Sequence, residues 1–204
     1  MTSRDQVVIG TGGLATLVAA LQDDGYTVIG PTPRDGAIVL AEIESADDFP
    51  RGLVDVQEGG SYRLNPDGEA WFSATLGPDS AKRFLHRPRQ RLWRSQRTQD
   101  GMAIHAEPED EGRIAFVGLR ACDLAAIAVQ DKVFIDGPYP DTHYRARRRN
   151  ALIVAVNCTR SAATCFCASM GTGPEARSGH DLALTGIGDG TSFVAAAATP
   201  AGEK

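Results

Sequence analysis

The hydrophobic positions in the first half of the chain predict a helix, a hairpin and short antiparallel strands. The predicted helix has apolar residues with helical spacing at Leu14, Leu17, Val18 and Leu21. We expect this helix to end at Gly25, because glycine is a common C-terminal cap. Two apolar runs at 26–29 and 37–40 flank the turn-forming stretch 30–36, and this arrangement predicts a hairpin. From 47 to 79, glycines, prolines and short aromatic runs predict small antiparallel pieces around a turn at 65–68.

The second half of the chain alternates strand and helix patterns. Apolar runs at 113–119 and 151–156 predict buried strands, helical spacing at 122–133 predicts a helix between them, and runs at 182–185 and 192–197 predict closing strands. Strand, helix and strand in this order favour a parallel βαβ unit. We therefore predict an α/β fold: a mostly parallel sheet with flanking helices, plus a small antiparallel β region in the N-terminal half.

The domain organisation follows from these two patterns. We expect residues 1–204 to form a single α/β domain. Its N-terminal subregion, 1–100, would hold the hairpin and a stripe of basic residues, and its βαβ subregion, 112–198, would hold all four cysteines.

Composition excludes several classes of function. Of 204 residues, 42% are hydrophobic, and 21 basic against 26 acidic residues give a net charge of −5, whereas a dedicated nucleic-acid binder is usually basic. No apolar run approaches the ~18–20 residues that span a bilayer. The first residues lack the apolar core of a secretion signal. These features predict a cytoplasmic protein with neither a nucleic-acid partner nor a membrane span.

Two clusters of basic residues allow two interpretations each. The basic stripe, 80–99, has seven basic residues and no acid, and it fits either a solvated face with inward aromatics or a docking surface for an acidic partner. The second cluster fits either a solvated helix face or the neutralisation of a negative centre or partner. It comprises Arg145, Arg147, Arg148 and Arg149.

The cysteines are the strongest candidates for chemistry. The four are Cys122, Cys158, Cys165 and Cys167. Cys122 and Cys158 each follow a predicted parallel strand, so the fold could bring them together. Four thiolates satisfy a tetrahedral zinc ion or a four-iron cluster, provided that 165–167 forms a turn. Buried, unliganded thiols and a redox pair are the rival interpretations.

Several strings in the second half resemble one protein family. They are GLRACDLAAI at 118–127, DKVF at 131–134 and TCFCASMGTGP at 164–174. These strings are similar to the beta subunits of cytosolic sulfhydrogenases and to the A subunits of anaerobic sulfite reductases, which are 4Fe-4S dicluster proteins. The resemblance extends weakly to the first half, at 25–39 and 82–93.

The resemblance implies a non-catalytic electron-transfer subunit. Such a subunit would relay electrons between an NAD(P)H-linked flavoprotein subunit and the catalytic subunit of a hydrogenase or sulfite reductase. The resemblance also implies an iron–sulfur protein. Together with the pattern of thiols, it leads us to propose Cys122, Cys158, Cys165 and Cys167 as the ligands of a 4Fe-4S cluster. Family members continue into a ferredoxin-like domain with further cysteines, which the sequence to Lys204 lacks, so we expect that domain or subunit to be a partner.

Two other functions stay open at this point. The chain could be a metal-free scaffold that docks the ferredoxin and flavoprotein subunits through the basic stripe, or it could be a structural domain stabilised by zinc.

Overall fold

The computed structural model describes residues 6–99, 101–109 and 112–204. Its strands are β1 (Gln6–Ile9), β2 (Tyr26–Arg34), β3 (Ala37–Glu42), β4 (Arg51–Glu58), β5 (Ser61–Trp71), β6 (Trp93–Thr98), β7 (Gly101–Ala106), β8 (Arg113–Leu119), β9 (Ala151–Val156), β10 (Leu182–Ile187) and β11 (Ser192–Ala197). Its helices are α1 (Thr11–Asp23), α2 (Lys82–Leu85), α3 (Ala121–Phe134), α4 (Thr142–Arg149) and α5 (Cys167–Met170), with a 3₁₀ turn at Ala46–Asp48.

A seven-stranded sheet in the order β1-β11-β10-β9-β8-β2-β3 forms the centre of the molecule. The four central strands, β10, β9, β8 and β2, are parallel, as the βαβ pattern predicts. The outer pairs are antiparallel, so the predicted α/β class is confirmed and the parallel sheet is correct only for the centre. Two of these pairs, β2–β3 and β10–β11, are joined by short turns, which can connect only antiparallel neighbours. The third, β1–β11, joins the two ends of the described chain.

Each face of the central sheet packs on its own helix layer. Along β8 and β9, alternate side chains enter opposite cores: Val117 and Val154 pack with α1, whereas Phe116 and Ile153 pack with α3. This alternation follows from the two-residue period of a strand, and burial on both faces is typical of parallel strands. Helix α1 spans the predicted residues and buries the apolar face read from the sequence.

The predicted hairpin at 26–40 is confirmed, but its first strand is longer than expected. Strand β2 continues through the proline-containing stretch to Arg34, and the turn is confined to Asp35 and Gly36, which both have positive φ. Beyond Ile29, β2 pairs only with β3. Prolines are tolerated in a strand with such a free edge, since no ladder bond is lost there.

The predicted antiparallel region is present, but the prediction of its turn at 65–68 is wrong. Strands β4 and β5 pair around Gly59 and Gly60, and the predicted turn at 65–68 lies inside β5. There the register shifts opposite 51–53, and Gly68 has a φ of 63°. The turn-forming residues therefore produce a bulge in a strand, because a β-bulge and a turn both accept a glycine with positive φ.

The basic stripe is not one continuous helical face. Its first part forms the short helix α2, in which Leu85 is fully buried. Its second part is strand β6, which pairs only with β7 and is exposed along its whole length. The inward packing expected for the aromatics does not hold for Trp93, which is 58% exposed. Within the described residues, no helix is long and apolar enough to cross a bilayer.

Candidate functional site: a thiol cluster at the strand ends

Two neighbouring parallel strands deliver the first two cysteines to the same edge of the sheet. Cys122 lies in the first turn of α3, directly after β8, and Cys158 lies two residues after β9. The register of these strands shifts at Gly118, whose φ is 96°, just before their last pair, Leu119 with Ala155. A Cβ at Gly118 would lie 2.8 Å from Pro31, so only glycine fits there. The predicted approach of the two cysteine regions is therefore confirmed.

Arg120 connects this edge of the sheet to Cys158. Its side chain is buried, and Nη1 donates a hydrogen bond to Sγ of Cys158 at 3.1 Å. Nη2 donates to the backbone carbonyls of Phe72 and of Ala74, the latter at 2.8 Å. The guanidinium group therefore places a fixed positive charge beside the Cys158 sulfur.

Cys122 is held in its neutral form at neutral pH. Desolvation by the surrounding protein atoms, together with the nearby Asp123 and Cys158, raises the pKa of the Cys122 thiol to about 11. Arg120 opposes this shift without cancelling it. A metal that binds Cys122 must therefore displace a proton, so its apparent affinity should rise with pH.

The other two cysteines lie in the loop 159–173, called here the cysteine loop. Residues 163 and 164 form a turn and α5 begins at Cys167, so 165–167 is not a strand, but the turn lies just before the predicted position. The backbone N–H of Ala162 donates to Sγ of Cys165 at 3.3 Å. Helix α5 ends at Gly171, which takes the left-handed conformation with a φ of 66°.

The end of the cysteine loop folds back onto the strand ends. The backbone N–H of Cys158 donates to the carbonyl of Pro174 at 3.2 Å. A Cβ at Gly173 would lie 3.1 Å from Sγ of Cys167 and 3.5 Å from Cβ of Ala121, which precedes Cys122. The segment 173–174 therefore lies between Cys167, Cys158 and the start of α3, and glycine leaves space for the Cys167 sulfur.

A polar network attaches the cysteine loop to the β4–β5 hairpin. Asp55 is 1% exposed, and one of its carboxylate oxygens accepts a hydrogen bond from Arg160 at 3.2 Å. Arg160 also donates to the Asp55 carbonyl at 2.9 Å, and Thr164 donates to the side chain of Gln57. Thr75 donates twice more to the Asp55 carboxylate, at 2.8 and 2.9 Å. The hairpin therefore helps to position the cysteine loop.

This network is not evident from the sequence. The available signal is a single carboxylate in the apolar run LVDV at 53–56, since a buried acid requires partners. Its partner Arg160 is 105 residues away, and single-sequence patterns do not reveal such a pairing.

We expect the attachment of the cysteine loop to weaken in acid. Burial raises the pKa of Asp55, but hydrogen bonds from Thr75 and Gln57 outweigh it, so the pKa lies below its ordinary value of 3.8. A lowered pKa in the folded state stabilises the fold above the unfolded pKa, and this contribution is lost as pH falls through the folded value. Hydrogen-exchange protection of 159–167 should therefore fall below a pH of about 3.8, before protection of β9 falls.

The matching variant is Asp55→Asn, which removes the charge at every pH. It should show lowered protection of 159–167 already at neutral pH and little further change in acid. Equal protection factors for this segment at neutral and acidic pH in the parent protein would contradict the assigned role of Asp55.

The four cysteines are the residue type that binds an iron–sulfur cluster, but the structure does not bring their sulfurs together around one point. Over residues 6–99, 101–109 and 112–204, no three His, Cys, Asp or Glu side chains converge closely enough to hold a metal ion. Two sulfurs nonetheless accept N–H hydrogen bonds, from Arg120 and from Ala162, and such bonds are typical around cluster thiolates. All four cysteines are free thiols, so each is available as a ligand.

Two thiols lie at the carboxyl ends of parallel strands and two in the cysteine loop, and this arrangement defines the molecule as an α/β protein with a candidate thiolate centre. Among curated proteins, the chain is similar to sulfhydrogenase 2 subunit beta of Pyrococcus furiosus, with 35% identity over 119 residues. That match covers 58% of this chain and 33% of the relative, so the chain spans about a third of the length of the curated relative it matches. No family model and no solved structure matches the chain.

The match supports the resemblance on the sulfhydrogenase side: over 119 residues the chain is similar to a sulfhydrogenase beta subunit. The resemblance to sulfite reductase A subunits stays a prediction.

Proposed function

We propose that this chain is the thiol-bearing part of a non-catalytic electron-transfer subunit in a multi-subunit, NAD(P)-linked oxidoreductase. The similarity to a sulfhydrogenase beta subunit favours a hydrogenase over a sulfite reductase as the complex. In this proposal residues 1–204 act as one cytoplasmic α/β domain. Its partners are a flavoprotein subunit, a ferredoxin-like domain or subunit, and the catalytic subunit. The observation that carries the proposal is the donation from Arg120 to Cys158 at the strand ends.

The proposed ligands of a four-iron cluster are Cys122, Cys158, Cys165 and Cys167. A bound cluster supplies a centre that accepts and gives up one electron at a time. Arg120 would offset the negative charge that four thiolates bring and would favour the reduced state, which raises the reduction potential. The N–H of Ala162 would act in the same direction on Cys165.

The chain's own contribution is to bring these thiols together and to keep their sulfurs near the surface. Cys122 and Cys165 are exposed, and Phe166 between the loop cysteines is 71% exposed. The Asp55–Arg160 pair attaches the start of the cysteine loop to the β4–β5 hairpin. An exposed thiol edge suits electron exchange with a docked subunit.

Anaerobic purification, followed by reconstitution with ferrous iron and sulfide, tests the proposal. We expect a brown protein with about four iron and four sulfide per chain, as a four-thiolate cluster requires. Bound zinc without colour would instead establish a zinc-stabilised domain. Four titratable thiols with neither iron nor zinc bound would overturn the proposed electron-transfer function and would leave the docking scaffold as the remaining candidate.

The variant Gly173→Ala should impair iron loading without unfolding the protein. The added Cβ would lie 3.1 Å from Sγ of Cys167, so the sulfur must shift by a few tenths of an ångström. We expect the iron-to-protein ratio after reconstitution to fall about two- to fivefold, since small misplacements of ligand-positioning groups cost metal affinity.

A matched control is Gly12→Ala in α1, where an added Cβ meets no atom within 4 Å. That variant should load iron as the parent does. Full loading of Gly173→Ala would show that the position of Cys167 is not critical.

A docking scaffold is the second candidate function, and the exposed β6–β7 hairpin favours it. This hairpin places Trp93, Ile104 and Met102 on one face, and they are 58%, 69% and 71% exposed. Arg97 lies on the same face, opposite Met102. Exposed aromatic, Met and Arg residues are typical of protein interfaces. A variant with all four cysteines changed to serine separates the two functions. It would keep both partner binding and electron flow through the complex if the chain is a metal-free scaffold, and it would lose electron flow if these thiols hold the relay cluster.

A further inference from the structure

A second concave site lies at the edge of the sheet opposite the thiols. It is a cavity of about 640 Å³ at the amino ends of β9 and β10, bordered by α4 and the end of α3. The length of β9 places it roughly 17 Å from the cysteine edge, at about 3.3 Å per residue. The arginine cluster therefore cannot neutralise a centre at the thiols, which was one of the two interpretations of its sequence.

Three of the four clustered arginines face this cavity. They are Arg145, Arg148 and Arg149. The fourth, Arg147, is 2% exposed and donates instead to the Leu85 carbonyl at 2.7 Å and to Gln90. The cluster is therefore not a uniformly solvated helix face: one member supports the core, and the others form a cationic wall.

The carboxylates of the cavity already have partners. Asp131 accepts from Arg148 at 3.1 Å and from the Tyr144 hydroxyl at 2.6 Å. Asp181 accepts from the N–H of Ile153 at 2.9 Å and from Thr199 at 2.7 Å. The charge of Arg148 thus offsets that of Asp131. Arg145 and Arg149 bring two positive charges against the single negative charge of Asp181. The arginines of the cavity therefore carry one more positive charge than its carboxylates carry negative charges.

Arg145 and Arg149 lack partners among the residues that the structure describes. Both are exposed, and no hydrogen bond or ion pair forms on either side chain within that part of the chain. They stand four residues apart on α4, so their side chains lie on one face of the helix, one turn apart. Two adjacent free guanidinium groups can each present a planar pair of donors to one multiply charged anion.

His180 adds a polar wall to the same cavity. It lines the cavity, is 6% exposed, and its buried Nδ1 has no hydrogen-bond partner. An unsatisfied buried polar group costs about 1–3 kcal/mol. His180 therefore adds a polar side chain to the cavity lining beside the arginines.

We propose that this cavity binds a small molecule that carries a phosphate group, held by Arg145 and Arg149. The guanidinium fork matches phosphate geometry, and the cavity volume falls within the roughly 300–1,000 Å³ of small-molecule sites. Ile135 and Ala151 provide apolar wall for the remainder of the ligand. A concave site with an apolar wall favours a small molecule over the acidic surface of a protein. This proposal is independent of the thiol centre.

Calorimetric titration of the full chain at low ionic strength tests the proposal, with pyrophosphate and ADP as separate probes. We expect both to bind, and ADP to bind more tightly because its nucleoside can use the apolar wall. The double variant Arg145→Gln, Arg149→Gln should weaken binding at least tenfold. Both side chains are exposed and unpartnered, so circular dichroism and thermal unfolding should match the parent.

The matched control is Arg34→Gln with Arg63→Gln, which removes two exposed charges from β2 and β5. This control should leave binding within about twofold of the parent, because screened charges outside the cavity contribute little. Equal weakening in both double variants would reduce the effect to general charge attraction and would overturn the site. Absence of binding by both probes, or binding of a glutamate-rich peptide in their place, would also overturn it.

Discussion

Replacing Arg120 with alanine is expected to lower the free energy of unfolding of the metal-free protein by about 3 kcal/mol. The side chain is buried and donates to the carbonyls of Phe72 and Ala74 as well as to Cys158. Its removal leaves two buried carbonyls without that donor and opens a cavity where β8 meets α3. Urea denaturation followed by circular dichroism, under reducing conditions, measures the change.

The control for this stability measurement is Arg94→Ala on the exposed hairpin, which should change stability by no more than about 0.5 kcal/mol. Arg120→Lys is expected to lie between the two variants, because a lysine keeps the charge but loses the planar fork that reaches several acceptors. A free energy of unfolding for Arg120→Ala equal to that of the parent would show that these hydrogen bonds do not hold the strand ends together.

Replacing Cys158 with alanine is expected to have the largest effect on iron loading. Cys158 is the thiol that Arg120 contacts, and it lies between β9 and the returning segment at Pro174. With a ligand missing from a four-thiolate centre, we expect iron and sulfide per chain to fall about tenfold after reconstitution, within the range that loss of a metal-site group produces. Iron analysis and visible absorbance record the loss.

The control for the cysteine variant is Ser161→Ala, an exposed residue of the same loop. It should load iron as the parent does, and both variants should unfold with similar midpoints in the metal-free state. Unchanged iron content in Cys158→Ala would remove Cys158 from the proposed ligands.

The sequence was most informative where apolar periodicity and strand ends coincide. The strands at 113–119 and 151–156 and the helix between them could be predicted because each is buried and long enough for its pattern to be read. Their order predicts parallel neighbours, and that alone brings Cys122 and Cys158 to one edge. The hairpin of β2 and β3 could be predicted because turn-forming residues lie between its two apolar runs.

Contacts between distant segments could not be predicted in this way. The pairing of Asp55 with Arg160, the return of Pro174 to Cys158 and the bulge within β5 depend on which segments meet in the fold. A turn signal such as NPDG at 65–68 serves a hairpin turn or a bulge equally well, and only the pairing partner decides between them. The same holds for the arginine cluster, in which helical position separates the buried Arg147 from its neighbours.

Thiol footprinting before and after reconstitution tests most directly whether the four sulfurs share one centre. Anaerobic alkylation followed by mass spectrometry gives the reactivity of each cysteine separately. The account predicts that Cys122, Cys158, Cys165 and Cys167 become protected together, at the same iron concentration. Alkylation of Cys122 or Cys158 at the same rate with and without iron would contradict a shared centre.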